Sequence, residues 1–340
     1  MVNHMLDSDF ANTSIFITGA SGFVGTWLLD SLLNTHIDPE QRPAVTALSR
    51  NPDTWRNKHN RFFATGSLQT ITGDIQTPSL WEHQLPDHID FVIHAAYDSA
   101  VKPGVFTPLQ TLDCIISGTR NIIEAGVRRG ARRVLFVSSG AVYGAMPSGM
   151  KSFPETYTGG PDPLSPGGAY GEGKRAAEAW GAAYCREHAV DFLSARLFAF
   201  GGPYLPLDQH FAFGNFIADA LAKRPVQISG SGKSVRSWLF GGDLGVWLLR
   251  ILSRGRSGSA YNVGSDEAYS IAELAQIVSE VAGIQAGVQR IGSGTGADSI
   301  YVPDISRSRS ENLVTEIHPL RETISLTLKH YRTDPGKLLS

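Results

Sequence analysis

The chain has few cysteines, no long apolar run and almost no net charge, and each of these absences narrows what it can be. Its 340 residues include two cysteines, Cys114 and Cys185, neither with metal-ligand residues nearby, so we expect both in the core and no metal site. No run approaches the ~18 apolar residues of a membrane helix. The 30 basic and 32 acidic residues balance, so no broad basic face for nucleic acid is expected.

The composition is otherwise that of a soluble globular protein with a sizeable core. Hydrophobic residues make up 42% of the chain and charged residues 18%, and the length fits one or two domains. Residues 1–13 are polar and lack the apolar centre of a signal peptide. We therefore expect a cytoplasmic protein with neither a membrane nor a nucleic-acid partner.

A glycine-rich turn is the first motif that carries chemistry. Gly19, Gly22 and Gly25 follow the β-branched and aromatic run 14–18 and overlap the start of 23–33, which has helical apolar spacing. Residues without a Cβ let such a turn tighten, admit a pyrophosphate and pack the helix on the sheet, with the helix N-terminus facing the phosphates. The triplet alone would fit an ordinary tight turn equally well.

Strand-like and helix-like runs alternate along most of the chain. The predicted strands after 14–18 are 45–48, 69–72, 91–94, 134–137 and 192–196, and long helices are predicted at 109–130 and 173–188. Alternation of this kind predicts an α/β fold with a doubly wound parallel sheet, Rossmann-type. A helix at 243–252 and a strand at 260–263 are expected to return to that sheet. We assign residues 12–196 and 234–266 to a dinucleotide-binding domain, and 197–233 and 267–333 to a smaller, substrate-binding lobe.

Ser139, Tyr170 and Lys174 are the candidate catalytic residues. Tyr170 and Lys174 lie four residues apart, so on a helix their side chains share one face. An ammonium beside a phenol favours the phenolate, which makes the tyrosine usable as an acid or a base. Together with the glycines, this pair indicates a nicotinamide enzyme; a tyrosine and a lysine on a solvated helix face are the alternative.

These motifs occur in an order that resembles the extended short-chain dehydrogenases/reductases, in the nucleotide-sugar epimerase/dehydratase/reductase group. The similarity covers nearly the whole chain. The matching segments are 18–25, Gly73-Asp74-Ile75, His94-Ala95-Ala96, Gly118-Thr119, 137–144, Tyr170 with Lys174, Arg196-Leu197-Phe198, Gly202-Pro203, Arg236 with Asp243, and 261–264.

The resemblance implies roles for individual residues. Tyr170 exchanges a proton with the sugar hydroxyl or ketone, Ser139 hydrogen-bonds the same oxygen, and Lys174 holds the nicotinamide ribose. Asp74 would cap the adenine amino group, with a plain turn aspartate as the alternative. The family usually dimerises through helices 109–130 and 173–188, so a homodimer is expected. The implied cofactor-binding residues are Gly19, Ser21, Gly22, Phe23, Val24, Gly25, Arg50, Asp74, Ile75, Ala95, Ala96, Tyr170, Lys174 and Phe198.

The end of the second strand bears on the choice of cofactor. NAD-preferring folds of this kind usually place an acidic residue there to accept a hydrogen bond from the ribose 2′-hydroxyl. This chain has Leu48-Ser49-Arg50, and an arginine can pair with a 2′-phosphate. We favour NADP(H), and NAD(H) is the alternative if Arg50 is only a loop cation.

The residues after Ser139 bear on the reaction. The dehydratases that the chain resembles have Asp-Glu there, and the UDP-glucuronate decarboxylases a Glu at the second position; here the pair is Gly140-Ala141, and neither residue carries a proton. Hydride transfer with a tyrosine acid remains, as in a 4-ketoreductase or a 4-epimerase. We favour NADPH-dependent reduction of a nucleoside diphosphate 4-keto-6-deoxyhexose, with an NAD-dependent epimerase as the alternative.

Two positions at which the family usually has an asparagine bear on the substrate contacts. An Asn that the family usually has after Arg-Leu-Phe is Ala199 here, and another before Gly118 is Ile115. Diphosphate binding is therefore assigned to Arg236 and Arg307, with His210 and Asn215 as further candidates. A protein that binds NADP(H) without turnover, as a redox-responsive regulator, is a hypothesis of another class; the intact Tyr170–Lys174 pair speaks against it.

Overall fold

A seven-stranded parallel sheet is the central element of the protein. The structure is a computed structural model that describes residues 8–34, 38–96, 106–165, 167–207, 209, 211–292, 298–314 and 317–333. In chain order, the strands it describes are β1 (Ser14–Thr18), β2 (Ala44–Ser49), β3 (Leu68–Thr72), β4 (Phe91–His94), β5 (Arg133–Ser139), β6 (Asp191–Leu197), β7 (Phe200–Gly201), β8 (Val226–Ile228), β9 (Val235–Arg236), β10 (Leu239–Phe240), β11 (Ser259–Val263), β12 (Tyr269–Ser270), β13 (Val288–Arg290) and β14 (Ile300–Tyr301).

Helices cover both faces of this sheet and build a second layer beside it. In chain order, the described helices are α1 (Phe23–Leu33), α2 (Pro52–Lys58), α3 (Asn60–Phe63), α4 (Pro108–Arg128), α5 (Ala169–Glu187), α6 (Ala212–Leu221), α7 (Gly241–Arg254), α8 (Ile271–Ala282), α9 (Ser306–Ser310) and α10 (Leu320–Thr333). Short 3₁₀ segments lie at Ser8–Phe10, Pro39–Gln41, Pro78–Leu80, Glu82–Gln84 and Gly140–Tyr143.

The strand order across the main sheet is β11-β6-β5-β4-β1-β2-β3, and all neighbouring strands are parallel. The doubly wound α/β fold predicted from the sequence is confirmed, including the return of α7 and of β11, which pairs with β6. Because β1 lies between β2 and β4, the order reverses there. Ligands of such sheets bind outside the carboxyl ends of the strands at this point.

The apolar character of the strands follows from their burial on both faces. Four of the five residues of β1 are buried, as are all four of β4. Helices α1 and α7 pack on one face, where Leu28 and Trp247 join the core, and α4 and α5 pack on the other around Ile122 and Phe136. Parallel strands covered on both faces have near-continuous apolar sequences, which is why their positions were predictable.

A second apolar cluster lies among α6, α8 and α10. Phe213, Ile217, Leu274 and Ile324 are buried there. The proposed substrate-binding lobe, 197–233 and 267–333, supplies most of this cluster. Within this lobe, segment 305–314 packs at both its ends into the core of the main sheet instead.

None of the described helices is both long and apolar enough to cross a membrane.

A buried ion pair fastens α5 to the main sheet. Arg196 on β6 donates three hydrogen bonds to Glu178 on α5, from Nε to Oε1 at 3.0 Å, from Nε to Oε2 at 3.3 Å and from Nη2 to Oε2 at 2.7 Å. The Arg196 and Glu178 side chains are 17% and 12% exposed. Ser194 and Tyr143 complete the network, since the Ser194 hydroxyl donates to Glu178 and Arg196 also donates to the Tyr143 oxygen.

We predict that Glu178→Ala lowers the free energy of unfolding by about 3–5 kcal/mol, because it leaves the Arg196 guanidinium buried without its carboxylate. Urea unfolding of the purified variant measures this loss. Glu187→Ala, at the exposed end of the same helix, is the matched control and should change stability by no more than about 0.5 kcal/mol. A loss below about 1 kcal/mol for Glu178→Ala would contradict the role given to the pair.

Candidate functional site

One large cavity, of about 1810 Å³, follows the carboxyl edge of the main sheet. The residues that follow β1, β2, β3 and β4 line it, together with the ends of β5 and β6. The sequence-predicted residues that line it are Gly19, Ser21, Gly22, Phe23, Val24, Arg50, Asp74, Ile75, Ala95, Ala96, Ser139, Tyr170, Lys174, Phe198, Ala199 and Arg236. Residues far apart in the sequence therefore meet in one cavity.

Two glycines of the first turn are required by close approach. Gly19 has a φ of +74°, and a Cβ there would lie 2.6 Å from the Ala95 carbonyl carbon. Gly25 does not line the cavity, but a Cβ on it would lie 2.2 Å from the Gly19 oxygen. Gly25 thus lets α1 start directly beneath the turn, and the unpaired N–H groups of the first helical turn then face the cavity.

A buried histidine supports this turn from below. His94 Nδ1 lies 2.7 Å from the Thr18 hydroxyl, and Nε2 lies 3.2 Å from the Thr119 hydroxyl. Burial lowers the pKa of His94 to about 3, with a smaller contribution from Lys174, so the ring is neutral near pH 7. The side chains of Thr18, His94 and Thr119 thus connect β1, β4 and α4. These three residues belong to segments of the family resemblance, and the role that the structure gives them is to hold these elements together.

Ser139 ends β5 at the centre of the cavity wall. Its Oγ accepts a hydrogen bond of 3.2 Å from the Ala141 N–H and lies 3.5 Å from the Tyr301 hydroxyl. The neighbouring Ser138 also lines the cavity, and its buried Oγ has no hydrogen-bond partner among the described residues. An orphaned hydroxyl here fits a site that receives a polar ligand.

Tyr170 and Lys174 lie on the first turns of α5. Lys174 is 4% exposed, and its Nζ donates a hydrogen bond of 2.8 Å to the Val137 carbonyl and lies 4.7 Å from the Phe136 ring centroid. Burial lowers the pKa of Lys174 to about 8, and the Glu178 carboxylate opposes that shift. Both residues line the cavity on the same side as Ser139.

The far end of the cavity carries basic side chains. Arg50, Lys58 and Arg61 line it, and Arg61 forms an ion pair of 2.8 Å with Asp30. Asp74, after β3, also lines the cavity, and its Oδ1 accepts a hydrogen bond of 2.9 Å from the Gln76 N–H. Asp74 therefore shapes its own turn and still presents a carboxylate to the cavity.

Asp74 is the single carboxylate among the described residues that line the cavity. The segment after Ser139 begins with Gly140 and Ala141, in the 3₁₀ segment Gly140–Tyr143, and offers no acid or base. Beside Ser139 the described wall includes the aromatic side chains of Phe198 and Tyr301.

Of the predicted substrate residues, Arg236 and Ala199 reach the cavity. Arg236 Nη1 donates to the Ser299 carbonyl at 2.8 Å, and Nη2 donates to the Ser299 hydroxyl at 2.9 Å. Burial lowers the pKa of Arg236, and no described carboxylate lies within ion-pair distance of it. A half-buried cation of this kind fits an anionic group of a ligand.

Two of the other candidates, Arg307 and Asn215, do not line the cavity. Arg307 lies outside the cavity, because its Nη1 donates to the Ala260 carbonyl at 2.7 Å and its Nε lies 3.9 Å from the Glu155 carboxylate. Asn215 is on the exposed face of α6, also outside the cavity. His210 lies outside the described residues.

Several cavity residues gave no sequence signal. Tyr301, Trp238, Tyr204, Phe106 and Cys114 all line the cavity but belong to no motif. The only hint in the sequence was indirect: small residues at 140 and 141 imply that some other side chain fills the space beside Ser139.

Comparison with known proteins assigns the chain to a family. The model of the NAD dependent epimerase/dehydratase family matches residues 15–264, from β1 to the end of β11. The chain belongs to this family. The resemblance inferred from the motifs is thereby confirmed.

Relatives in this family act on nucleotide sugars. UDP-glucuronic acid decarboxylase 1 of Xenopus tropicalis is 28% identical over 324 residues, 94% of this chain and 72% of the relative. MoeE5 in complex with UDP-glucose and NAD is 27% identical, with a TM-score of 0.77 and coverage of 95% of this chain and 99% of that one. DesIV, a dTDP-glucose 4,6-dehydratase from Streptomyces venezuelae with NAD and TYD bound, is 25% identical, with a TM-score of 0.79 and coverage of 95% and 98%.

We predict that the stability of the ligand-free protein, relative to its Lys174→Met variant, rises by about 2–3 kcal/mol between pH 7 and pH 10. The folded-state pKa of Lys174, about 8, lies below the value of 10.5 for a free lysine, so folding disfavours the ammonium below pH 8. That penalty disappears as the pH rises through the window between the two values. Urea unfolding at several pH values measures the difference.

Lys151→Met, at an exposed lysine, is the matched control and should show no such pH dependence. If the difference in unfolding free energy between the wild type and Lys174→Met stays constant from pH 7 to pH 10, the pKa of Lys174 is not lowered in the folded protein.

Proposed function

We propose that the protein is an NADPH-dependent reductase of the 4-keto group of a nucleoside diphosphate 4-keto-6-deoxyhexose, in deoxysugar biosynthesis. One observation carries the proposal. The cavity brings Ser139, Tyr170 and Lys174 together beside the glycine turn, and Asp74 is the single carboxylate among the described residues that line it. This set of groups serves hydride transfer and includes no carboxylate beside Ser139 at positions 140 or 141 that could remove a carbon-bound proton.

The residues of the cavity fit a nicotinamide dinucleotide. The turn at 19–25 and the start of α1 would hold the pyrophosphate, Asp74 and Arg50 the adenosine, and Lys174 the nicotinamide ribose. A volume of about 1810 Å³ exceeds the roughly 300–1,000 Å³ of a pocket for one drug-sized ligand, so it has room for a sugar nucleotide as well.

When bound, a reduced nicotinamide would supply a hydride to the carbonyl carbon of the substrate. Tyr170 donates the proton that the carbonyl oxygen needs, Ser139 hydrogen-bonds the same oxygen, and the Lys174 ammonium stabilises the phenolate that Tyr170 leaves behind. We assign the diphosphate to Arg236, and the support for this is that Arg236 is a cation of the cavity with no described carboxylate partner.

Dehydration and decarboxylation by the usual mechanisms are disfavoured. The relatives include decarboxylases and a dehydratase, but positions 140 and 141 of this chain carry glycine and alanine. Neither residue can act as the acid or base that elimination needs.

A 4-epimerase is the second candidate. The family model names epimerases, and MoeE5 is in complex with UDP-glucose and NAD. Epimerisation needs the same Ser139, Tyr170 and Lys174, so a retained NAD would favour this function over net reduction.

A cytoplasmic location and a homodimer through α4 and α5 are further proposals. The two helices pack against each other, and Leu109 on α4 is 66% exposed. An exposed leucine beside a helix pair is compatible with a covered face in a dimer.

We predict that Arg50→Ala weakens NADPH binding about tenfold and NADH binding less than twofold, because a charge-assisted hydrogen bond to the 2′-phosphate contributes about 1.5 kcal/mol or more. Fluorescence titration gives both dissociation constants. Arg56→Ala is the matched control, since Arg56 on α2 stacks on Phe63 outside the cavity. Equal losses for the two cofactors would contradict the NADP(H) preference.

We predict net, stoichiometric NADPH consumption with one member of a panel of dTDP-, CDP-, GDP- and UDP-4-keto-6-deoxysugars, followed by absorbance at the reduced-nicotinamide band. Tyr170→Phe should bind NADPH as the wild type does but lose at least about a hundredfold in turnover, the lower end of general acid catalysis. Tightly bound NAD without net consumption would instead support the epimerase.

A further inference from the structure

Tyr301 reaches the centre of the site from a distant part of the chain. It ends β14, whose parallel pairing with β9 sets Tyr301 opposite Arg236. Its ring packs on Phe198 with 4.5 Å between centroids, and its Oη lies 3.5 Å from Ser139 Oγ and donates to the Leu197 carbonyl at 3.2 Å. A second phenol therefore stands beside Ser139, in addition to Tyr170.

The hydroxyl of Tyr301 occupies the space that a side chain at position 140 would need. A Cβ on Gly140 would lie 2.6 Å from Tyr301 Oη and 2.8 Å from Phe198 Cζ. Atoms do not pack at such short distances, so a side chain at position 140 would require Tyr301 to move. The glycine at 140 and the tyrosine at 301 therefore depend on each other.

Tyr301 acts as a hydrogen-bond donor and not as a base. Burial raises the pKa of Tyr301, the hydrogen bond with Ser139 opposes part of that shift, and the nearby Tyr170 adds to it. The phenol therefore stays protonated over the pH range in which Tyr170 works, and its proton is available to the Leu197 carbonyl or to Ser139.

A hydrogen bond donated by Tyr301 affects the direction in which the Ser139 hydroxyl proton points. A serine hydroxyl has one proton and two acceptor positions. The Ala141 N–H fills one acceptor position of Ser139, and the single proton of Tyr301 fills the other when it turns from the Leu197 carbonyl to Ser139. The Ser139 proton is then directed away from both donors, towards the ligand in the cavity.

We propose that Tyr301 is a positioning residue, which takes the place of a side chain at 140 and orients the Ser139 hydroxyl towards the carbonyl oxygen of the substrate. The identity of that substrate rests on the proposed function, but the dependence of Ser139 on Tyr301 does not. By filling the wall with a neutral phenol, the chain keeps the oxygen-binding group of Ser139 while leaving no room for an acid or base at 140.

Tyr301→Phe tests the hydrogen bond, because it keeps the ring contacts and removes only the oxygen. We expect kcat about tenfold lower and KM within about twofold of wild type, the pattern of an interaction that matters in the transition state. Tyr157→Phe is the matched control: Tyr157 belongs to the same aromatic cluster but lies outside the cavity, and its variant should have the wild-type kcat. An unchanged kcat, or a change in KM alone, for Tyr301→Phe would overturn the proposal.

Gly140→Ala provides a second test that needs no substrate. In urea unfolding, it should lower the midpoint clearly in the wild type and by less than half as much in a Tyr301→Ala background, where the ring no longer overlaps the added methyl group. Equal shifts in both backgrounds would overturn the mutual dependence. If the wild type proves to be an epimerase, the same kcat and KM comparison is made on epimerisation, so failure of the proposed function stays distinct from failure of this inference.

Discussion

The hydrogen bond from Lys174 Nζ to the Val137 carbonyl is the contact on which the rest of the site depends. It joins α5 to β5 two residues before Ser139, and it fixes the turn of α5 that also carries Tyr170. The ammonium is almost fully buried, which is unfavourable by itself, as its lowered pKa shows. The Glu178 carboxylate one turn further along α5 offsets part of that penalty and is in turn held by Arg196 on β6.

Under the proposed function, the same arrangement limits this site to fewer types of reaction than its relatives catalyse. Hydride transfer needs a bound nicotinamide, a proton donor and a group that holds the oxygen, and the proposed function assigns all three to residues of the cavity. Elimination needs an additional acid or base beside the sugar ring. In this chain Tyr301 and Gly140 lie beside Ser139, and under the proposed function no acid or base there takes up a carbon-bound proton.

The fold could be predicted from the sequence because its signals are local. Strands buried on both faces have continuous apolar runs, and helix 23–33 was predicted with the bounds that the structure gives α1. Other helix ends were missed by one to four residues. The Thr107–Gln110 capping box starts α4 one residue before the predicted start, and α5 begins at Ala169 rather than at 173.

The site was predictable only where a motif marks it. Ser139, Tyr170, Lys174 and the glycine turn lie together as their spacing indicated. Tyr301 could not be found in this way, because its contact with Ser139 spans 162 residues and depends on the pairing of β14 with β9. Arg307 was a candidate by its charge alone, and charge does not reveal that its side chain lies outside the cavity, against the Ala260 carbonyl and the Glu155 carboxylate.

The central claim is that the site transfers hydride and removes no carbon-bound proton. The most direct test is to supply NADPH that carries deuterium in the transferred position at C4, together with a 4-keto sugar nucleotide, and to locate the label in the product by NMR and mass spectrometry. We predict one deuterium on the former carbonyl carbon for each NADP⁺ formed, and none elsewhere in the sugar. A product without cofactor-derived deuterium, or one that has lost water or carbon dioxide, would contradict the account.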